Sequence, residues 1–361
     1  MTQHWPSYRL QELLGMTKPL ILAPMAGAGG IDLALGVAKA GGLASIPCAM
    51  LGPDAIRAQV KAFRTASDQP FNLNFFCHTH QPVKEDEQQR WCSTLAPYYQ
   101  QAGLDIDNLS IGASRASFNE ELCSLVEELK APIVSFHFGL PEAALVDRLK
   151  ANGVLIMSSA TSVKEAEFLE QAGCDVIIAQ GAEAGGHRAM FLEASPSNQC
   201  GTMALVPQIV DAVRVPVVAA GGIADGRGIA AAFALGAVGV QVGTAYLSCP
   251  ESLISALHRD ALKQAHDQST EITTLFTGKP SRGITNKAIR QLGALPDSVP
   301  TFPHAVHAIN PLRAHFEKQG SSDFTPLWAG QAAGLNRNLP ADELSYVICQ
   351  EALSRMHWLK C

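Results

Sequence analysis

Several things are scarce in this chain of 361 residues at once. Charged residues make up 17% and aromatics 6%, while 47% of the chain is hydrophobic. That balance excludes a disordered polyelectrolyte and is enough to build a large core. Lysine and arginine (27) are outnumbered by aspartate and glutamate (33), giving a formal net charge of −6. The basic excess that holds nucleic acid is therefore missing. No stretch of about 18 apolar residues runs uninterrupted, because Gly, Asp or Arg breaks each one, so no membrane span is expected. The start, MTQHWPSYRLQELLG, lacks the basic and apolar segments of a signal peptide. The nine cysteines form no C-x-x-C pair and read as thiols of a reducing compartment; a cytoplasmic protein is expected. Also absent are a G-x-S-x-G elbow, a Walker A lysine and a Rossmann glycine fingerprint. "CHTH" (77–80) and "HAVH" (304–307) match no zinc spacing, and no metal is expected.

What is present is a rhythm. Short apolar runs rich in β-branched residues recur at 19–25, 43–49, 71–77, 133–139, 153–159, 175–181, 215–222 and 237–244. Amphipathic stretches such as "GPDAIRAQVKAFRTAS" and "SVKEAEFLEQAG" separate them, and several close on "KAGG", "KANG", "EQAG" or "FALG". Glycine there suits a left-handed helix cap before the next strand. Runs that are apolar throughout, rather than alternating, indicate parallel strands covered on both faces. Eight β/α units in about 230 residues predict an α/β fold of the (β/α)₈ TIM-barrel type; a doubly wound open sheet usually has fewer strands. After Thr244 the rhythm stops. Residues 251–324 read as a partly helical lid without further strands, and 1–250 with 325–361 as the barrel.

In such a barrel the working residues sit at the C-terminal ends of the strands. Those positions hold Met25, Asn74, His137, Gln180, Gly221 with Gly222, and Gln241 to Thr244. One glycine only turns a chain. Two groups, "AAGGIADGRG" after the seventh strand and "QVGT" after the eighth, favour an anion such as phosphate, with Asp225 as the helix cap between them. "QGAEAGGHRA" ends the sixth strand in a flexible loop that delivers His187, whose imidazole can act as a general base or can be a loop histidine without chemistry. His137, between two phenylalanines, is either packed or in contact with substrate. The Asn74 and Gln180 amides can donate and accept at the edge of a heteroaromatic ring. Met25 is either core or support for a ring face.

Taken in order, "PLILAPMAGAGG", "FNLNFF", "VSFHFGLP", "QGAEAGGHRA", "VVAAGGIADGRGIAAAFALGAVGVQVGTAYL", "TGKPSRGITNK" and "PLWAGQAAGL" resemble the motif series of the nitronate monooxygenases, over nearly the whole chain. The pairing of "VSFHFGLP" with "EAGGH" is the specific part. The resemblance implies a detoxifying flavoprotein that binds FMN and no metal. It would use O₂ to oxidise alkyl nitronates such as propionate 3-nitronate to a carbonyl compound and nitrite. His187 matches the active-site histidine, which binds the nitronate anion or takes the α-proton of a neutral nitroalkane. His137 matches a substrate-pocket histidine, with Met25 beside it. Asn74, Gln180, Gly185, Gly221, Gly222, Gln241, Val242, Gly243 and Thr244 match FMN contacts, joined by Trp328, Ala329, Gly330 and Gln331. A homodimer is the expected assembly. The chain departs from the pattern in "TFPHAVHAINPLRAHF", where family members often carry tyrosines and a lysine. Here Arg313 is the residue able to pair with a substrate carboxylate, beside His304, His307 and His315. Ala189 also replaces a frequent glycine. Two rivals stay open. One is an FMN- and NAD(P)H-dependent enoyl-acyl-carrier-protein reductase, which shares the "EAGGH" loop. The other is a flavin-free phosphate-binding isomerase or lyase, which needs a lysine or a carboxylate pair at strand ends.

Overall fold

Residues 4–79, 81–107, 109, 117–193 and 195–358 are described by the computed structural model. His80 and Cys361, noted above, lie outside the described residues. The apolar runs become parallel strands β1 (Leu20–Leu22), β2 (Ala44–Pro47), β3 (Phe71–Phe76), β4 (Ile133–His137), β5 (Leu155–Ala160) and β6 (Val176–Gln180). A short β7 (Gly186–His187) stands apart, and β8 (Val217–Ala220) and β9 (Gly239–Val242) complete the set. Eight of them form one sheet in the order β1-β9-β8-β6-β5-β4-β3-β2. A parallel bridge between Ile21 and Leu43 joins its two ends, with Leu43 N donating to Leu20 O at 2.9 Å. This is the (β/α)₈ barrel that the rhythm predicts. The strands are shorter than their apolar runs because the ends peel away to line the mouth. At Met25, for example, the carbonyl accepts from Gly29 N at 2.7 Å and so closes a turn instead of a ladder.

The main core lies between the strands and the surrounding helices. A second apolar cluster fills the barrel's lower end. There the helix Arg9–Leu14 inserts Leu10 and Leu14 against Ile21, Ile133, Met157, Val176 and Val218. The C-terminal helix Ala341–Trp358 packs across helix Gly226–Ala234 and helix Ile31–Lys39. The first of these contacts is backbone-close. A Cβ on Gly226 would lie 2.3 Å from the Glu351 Cβ, so only glycine fits. None of the described helices is long and apolar enough to cross a membrane.

Above the mouth, the segment expected to be free of strands forms two. β10 (Thr270–Thr273) and β11 (Ser281–Ile284) pair antiparallel, and β11 pairs on its other side with β7, setting Ser281 opposite His187 and Arg282 opposite Gly186. Four-residue strands reading TEIT and SRGI carry no apolar alternation, and one partner is a loop nearly a hundred residues away. Nothing local announces them. A further apolar cluster joins Trp91, Leu95 and Tyr99 of helix Glu85–Ala102 to Ile309, Leu312 and Phe316 of helix Val306–Lys318. The Trp91 indole donates to Ala305 O at 3.1 Å and the Tyr99 hydroxyl to Ala308 O at 2.6 Å, so the polar tips of both rings are satisfied.

Candidate active site

A cavity of about 560 Å³ opens at the C-terminal ends of the strands. Met25, Asn74, His137, Gln180, Gln241 and Thr244 reach it from the barrel. So do the backbones of Gly185, Gly221, Gly222 and Gly243, and from above come His187, Arg313, Trp328 and Gly330. Three expected residues do not line it. Val242 alternates outward into the buried core, Ala329 is buried in a separate apolar cluster, and Gln331 is exposed. The last two act through the backbone they belong to. Gly330 N donates to Thr244 Oγ1 at 2.9 Å and Gln331 N to Glu183 O at 2.9 Å. That segment lies on the glycine loop so closely that a Cβ on Gly185 would sit 2.5 Å from Gly330 N. Gly185 is small because another backbone touches it.

The loop after β6 is fixed from several sides. Gln180 uses both ends of its amide, Nε2 donating to His187 O at 3.1 Å and Oε1 accepting from Ala189 N at 2.8 Å. His137 Nε2 donates to the same His187 carbonyl at 3.3 Å. Arg188, fully buried, points back under the loop and donates to the carbonyls of Gly181, Ala184 and Gly186. Its guanidinium satisfies acceptors of a non-repeating backbone, sharing Gly181 O with Ala184 N at 3.1 Å. Burial, reinforced by nearby Arg282, pushes the Arg188 pKa down to about 9, still charged at neutral pH. The purpose of this bracing is one side chain. His187 Nε2 meets Thr277 Oγ1 at 3.0 Å, and that hydroxyl donates onward to Lys279 O at 3.3 Å. In this direction a neutral imidazole carries its proton on Nε2 and its lone pair on Nδ1.

Rings enclose that imidazole. Phe76, Phe138, Phe302 and Trp328 lie with centroids 6.1, 5.7, 5.7 and 5.8 Å from it. Phe138 holds φ at 72°, a left-handed conformation that costs a non-glycine residue about 1–2 kcal/mol. It is retained where its ring meets His187 and lies 4.3 Å from Lys279 Nζ. Such strain clusters at functional sites. His137, half-buried, lies beside it. Desolvation, opposed by its bond to the His187 carbonyl, pushes its pKa down to about 3. His137 is therefore neutral at physiological pH, and its bond to the His187 carbonyl holds it in position.

At the other end, Gly221 (φ 107°) and Gly222 (φ 71°) turn the chain before helix Gly226–Ala234, whose N-cap is Asp225, accepting from Arg227 N at 2.8 Å. Glu183 is the one carboxylate on the cavity wall among the described residues, and it is occupied: both oxygens accept from Thr202 N, at 2.8 and 2.9 Å. The volume lies within the range of about 300–1,000 Å³ that holds cofactors. Gln241 Oε1, at the end of β9, is buried without a hydrogen-bond partner among the described residues. Buried polar atoms are rarely left so, and this one is open to a ligand that carries a donor. The residues fit a flavin nucleotide. Among the described residues no group of three His, Cys, Asp or Glu is arranged to hold a metal ion. Arg188, Glu183, Thr277 and His258 were not singled out from the sequence; "TGKPSRGITNK" marked Thr277's neighbourhood, but not its bond to His187.

The comparisons with known proteins agree with this geometry. The family description "Nitronate monooxygenase" matches residues 7–351. The chain belongs to that family. A curated nitronate monooxygenase of Paraburkholderia phytofirmans is 40% identical over 348 residues, covering 95% of this chain and 94% of the relative. Another, from Pseudomonas aeruginosa, is 38% identical over 351 residues, covering 95% and 98%. Among solved structures, a nitroalkane oxidase from Streptomyces ansochromogenes superposes with a TM-score of 0.88 at 33% identity, covering 97% and 99%. FabK from Thermotoga maritima superposes with 0.71 at 28% identity, covering 98% of each chain. As a member of the nitronate monooxygenase family, the protein is a flavin-dependent oxidoreductase.

Proposed function

We propose that the protein is an FMN-dependent nitronate monooxygenase that uses O₂ to oxidise alkyl nitronates such as propionate 3-nitronate to a carbonyl compound and nitrite, detoxifying them. The observation that carries this reading is His187, braced at the end of β6 against a cavity of about 560 Å³ and closed in by aromatic rings. Gly222, Gly243 and Thr244 would hold the phosphate end of the cofactor through backbone N–H groups, and Asn74 and Gln241 would meet it with amides. FMN held there would supply the electron acceptor for nitronate oxidation, with O₂ as the terminal oxidant. The chain's own task is to place an anion. His187 binds the nitronate, or takes the α-proton of a neutral nitroalkane on Nδ1 while Thr277 holds the proton on Nε2. The surrounding rings exclude water and strengthen that contact. Arg313, tied by Nε to Glu317 at 2.8 Å, keeps its Nη groups for a substrate carboxylate. We also assign the barrel to 1–250 and 325–361 and the substrate cover to 251–324, with helix Glu85–Ala102 sharing the cover's apolar cluster.

The test is the visible spectrum of the purified protein, followed by anaerobic mixing with propionate 3-nitronate. Flavin absorbance that bleaches with the nitronate supports the proposal. Bleaching by NADH with none by the nitronate overturns it in favour of an enoyl reductase. A colourless protein that takes up no FMN favours a lyase or isomerase.

A further inference from the structure

His258 is a second imidazole on the cavity wall, and the chemistry above leaves it without a task. It sits in the first turn of helix Ala256–Lys263, where its N–H donates to Ser255 Oγ at 3.3 Å. The side chain is 7% exposed. The ring lies against the Trp328 backbone, and Nε2 is buried on the cavity wall with no hydrogen-bond partner among the described residues. A ring proton on Nδ1, toward that backbone, leaves Nε2 as the acceptor. Desolvation, with Arg313 and Arg259 nearby, pushes the His258 pKa down to about 4 and keeps the ring neutral.

A neutral imidazole whose proton is committed at Nδ1 offers a lone pair at Nε2 and no hydrogen. That narrows what can face it. Nitronate and phosphate oxygens carry only lone pairs and cannot satisfy a second acceptor. A flavin nucleotide carries donors: the hydroxyls of its sugar-alcohol chain and the imide N–H of its ring. Resting on the reading of this cavity as an FMN site, we propose that His258 is a cofactor-binding residue. Nε2 accepts a hydrogen bond from a flavin hydroxyl or imide N–H, and Nδ1–H secures the backbone of Trp328, whose ring packs on His187. Gln241 Oε1, also buried and unpartnered, makes the same demand from the end of β9. One residue thus couples cofactor affinity to the wall of the catalytic histidine.

The test is rebinding of FMN to the flavin-depleted full-length protein, followed by flavin fluorescence, in wild type and His258→Asn. Asparagine keeps a donor near the Nδ1 position and removes the acceptor. FMN affinity falls about tenfold in the variant, the usual worth of one hydrogen bond. Analogues locate the partner: 3-methyl-FMN lacks the imide N–H, and deoxy-ribityl FMNs each lack one hydroxyl. One of them binds wild type about tenfold more weakly than FMN, yet binds His258→Asn as FMN does. An unchanged thermal midpoint of the flavin-depleted variant shows that its fold is intact. Wild-type affinity in His258→Asn, or no analogue that separates the two proteins, overturns the inference and leaves the flavin reading standing. Failure of the wild type itself to bind FMN overturns the flavin reading.

Discussion

At the lower end of the barrel, Ile21, Ile133, Met157, Val176 and Val218 meet Leu10 and Leu14, and the partners are apolar. At the upper end the same sheet finishes in Asn74, His137, Gln180 and Gln241, and every one of these is polar. Below, burial of apolar surface works without direction, and similar residues of similar volume would serve. Above, the groups bonded within the protein depend on particular partners at particular distances. Gln180 has two bonds to a loop that it would not reach by packing alone. The lower end supplies stability, and the upper end holds strained and desolvated groups that lower it. Substitutions at the two ends should therefore fail in different ways.

The sharpest break should come at Arg188. Replacing it with leucine removes the donor from three loop carbonyls; Gly181 O keeps its bond from Ala184 N, and a buried carbonyl that is left unpaired costs about 1–3 kcal/mol. The expected result is a large drop in the unfolding midpoint, together with proteolytic cleavage within 181–191. A variant as stable and protease-resistant as wild type would show that the loop holds itself. His187→Asn should do the opposite: FMN stays bound and the midpoint is little changed. Turnover of a neutral nitroalkane falls about 10²–10⁴-fold, the usual worth of a general base. A preformed nitronate, which has no α-proton to lose, should suffer less. Equal losses on both substrates would restrict His187 to binding the anion. Leu10→Ala tests the other end. It should cost about 2–5 kcal/mol in denaturant unfolding. Because the cavity lies at the opposite end, kcat per folded, flavin-loaded molecule stays at the wild-type value.

The two ends also differ in how far they can be read from the chain. Eight strands, the glycine caps and the polar strand ends were legible because each rests on local pattern: apolar runs, stop glycines and the rule that barrel chemistry lies at C-terminal ends. His187 was legible as a candidate for the same reason. What surrounds it was not. Thr277 lies 90 residues further on, and its bond to His187 exists only because β11 pairs with β7. Gln180 read as a ligand amide and Arg188 carried no assigned role; the fold turns both inward onto the loop's own backbone. The helix Arg9–Leu14 shows a related gap: its six residues are too short for a periodicity signal, yet they close the barrel.

The smallest effect is one of slope. His137 is neutral in the folded protein, with its pKa pushed from 6.5 down to about 3. Above about pH 6.5 the ring is neutral whether the chain is folded or not, and its environment is fully tolerated. Between about pH 6.5 and 3 the unfolded chain takes up a proton that the folded chain refuses, so stability falls as pH falls, by at most about 1.4 kcal/mol per pH unit. His258 adds to the same trend over the narrower window down to about 4. His137→Asn keeps a donor for the His187 carbonyl and removes one titrating group. Denaturant unfolding at pH 7, 6 and 5 should therefore show a shallower loss of stability in that variant than in wild type. Leu10→Ala, weakened at the end that carries no imidazole, should keep the full wild-type slope. Parallel slopes for wild type and His137→Asn would mean that His137 is not held neutral and that the polar end does not carry the acid sensitivity assigned to it.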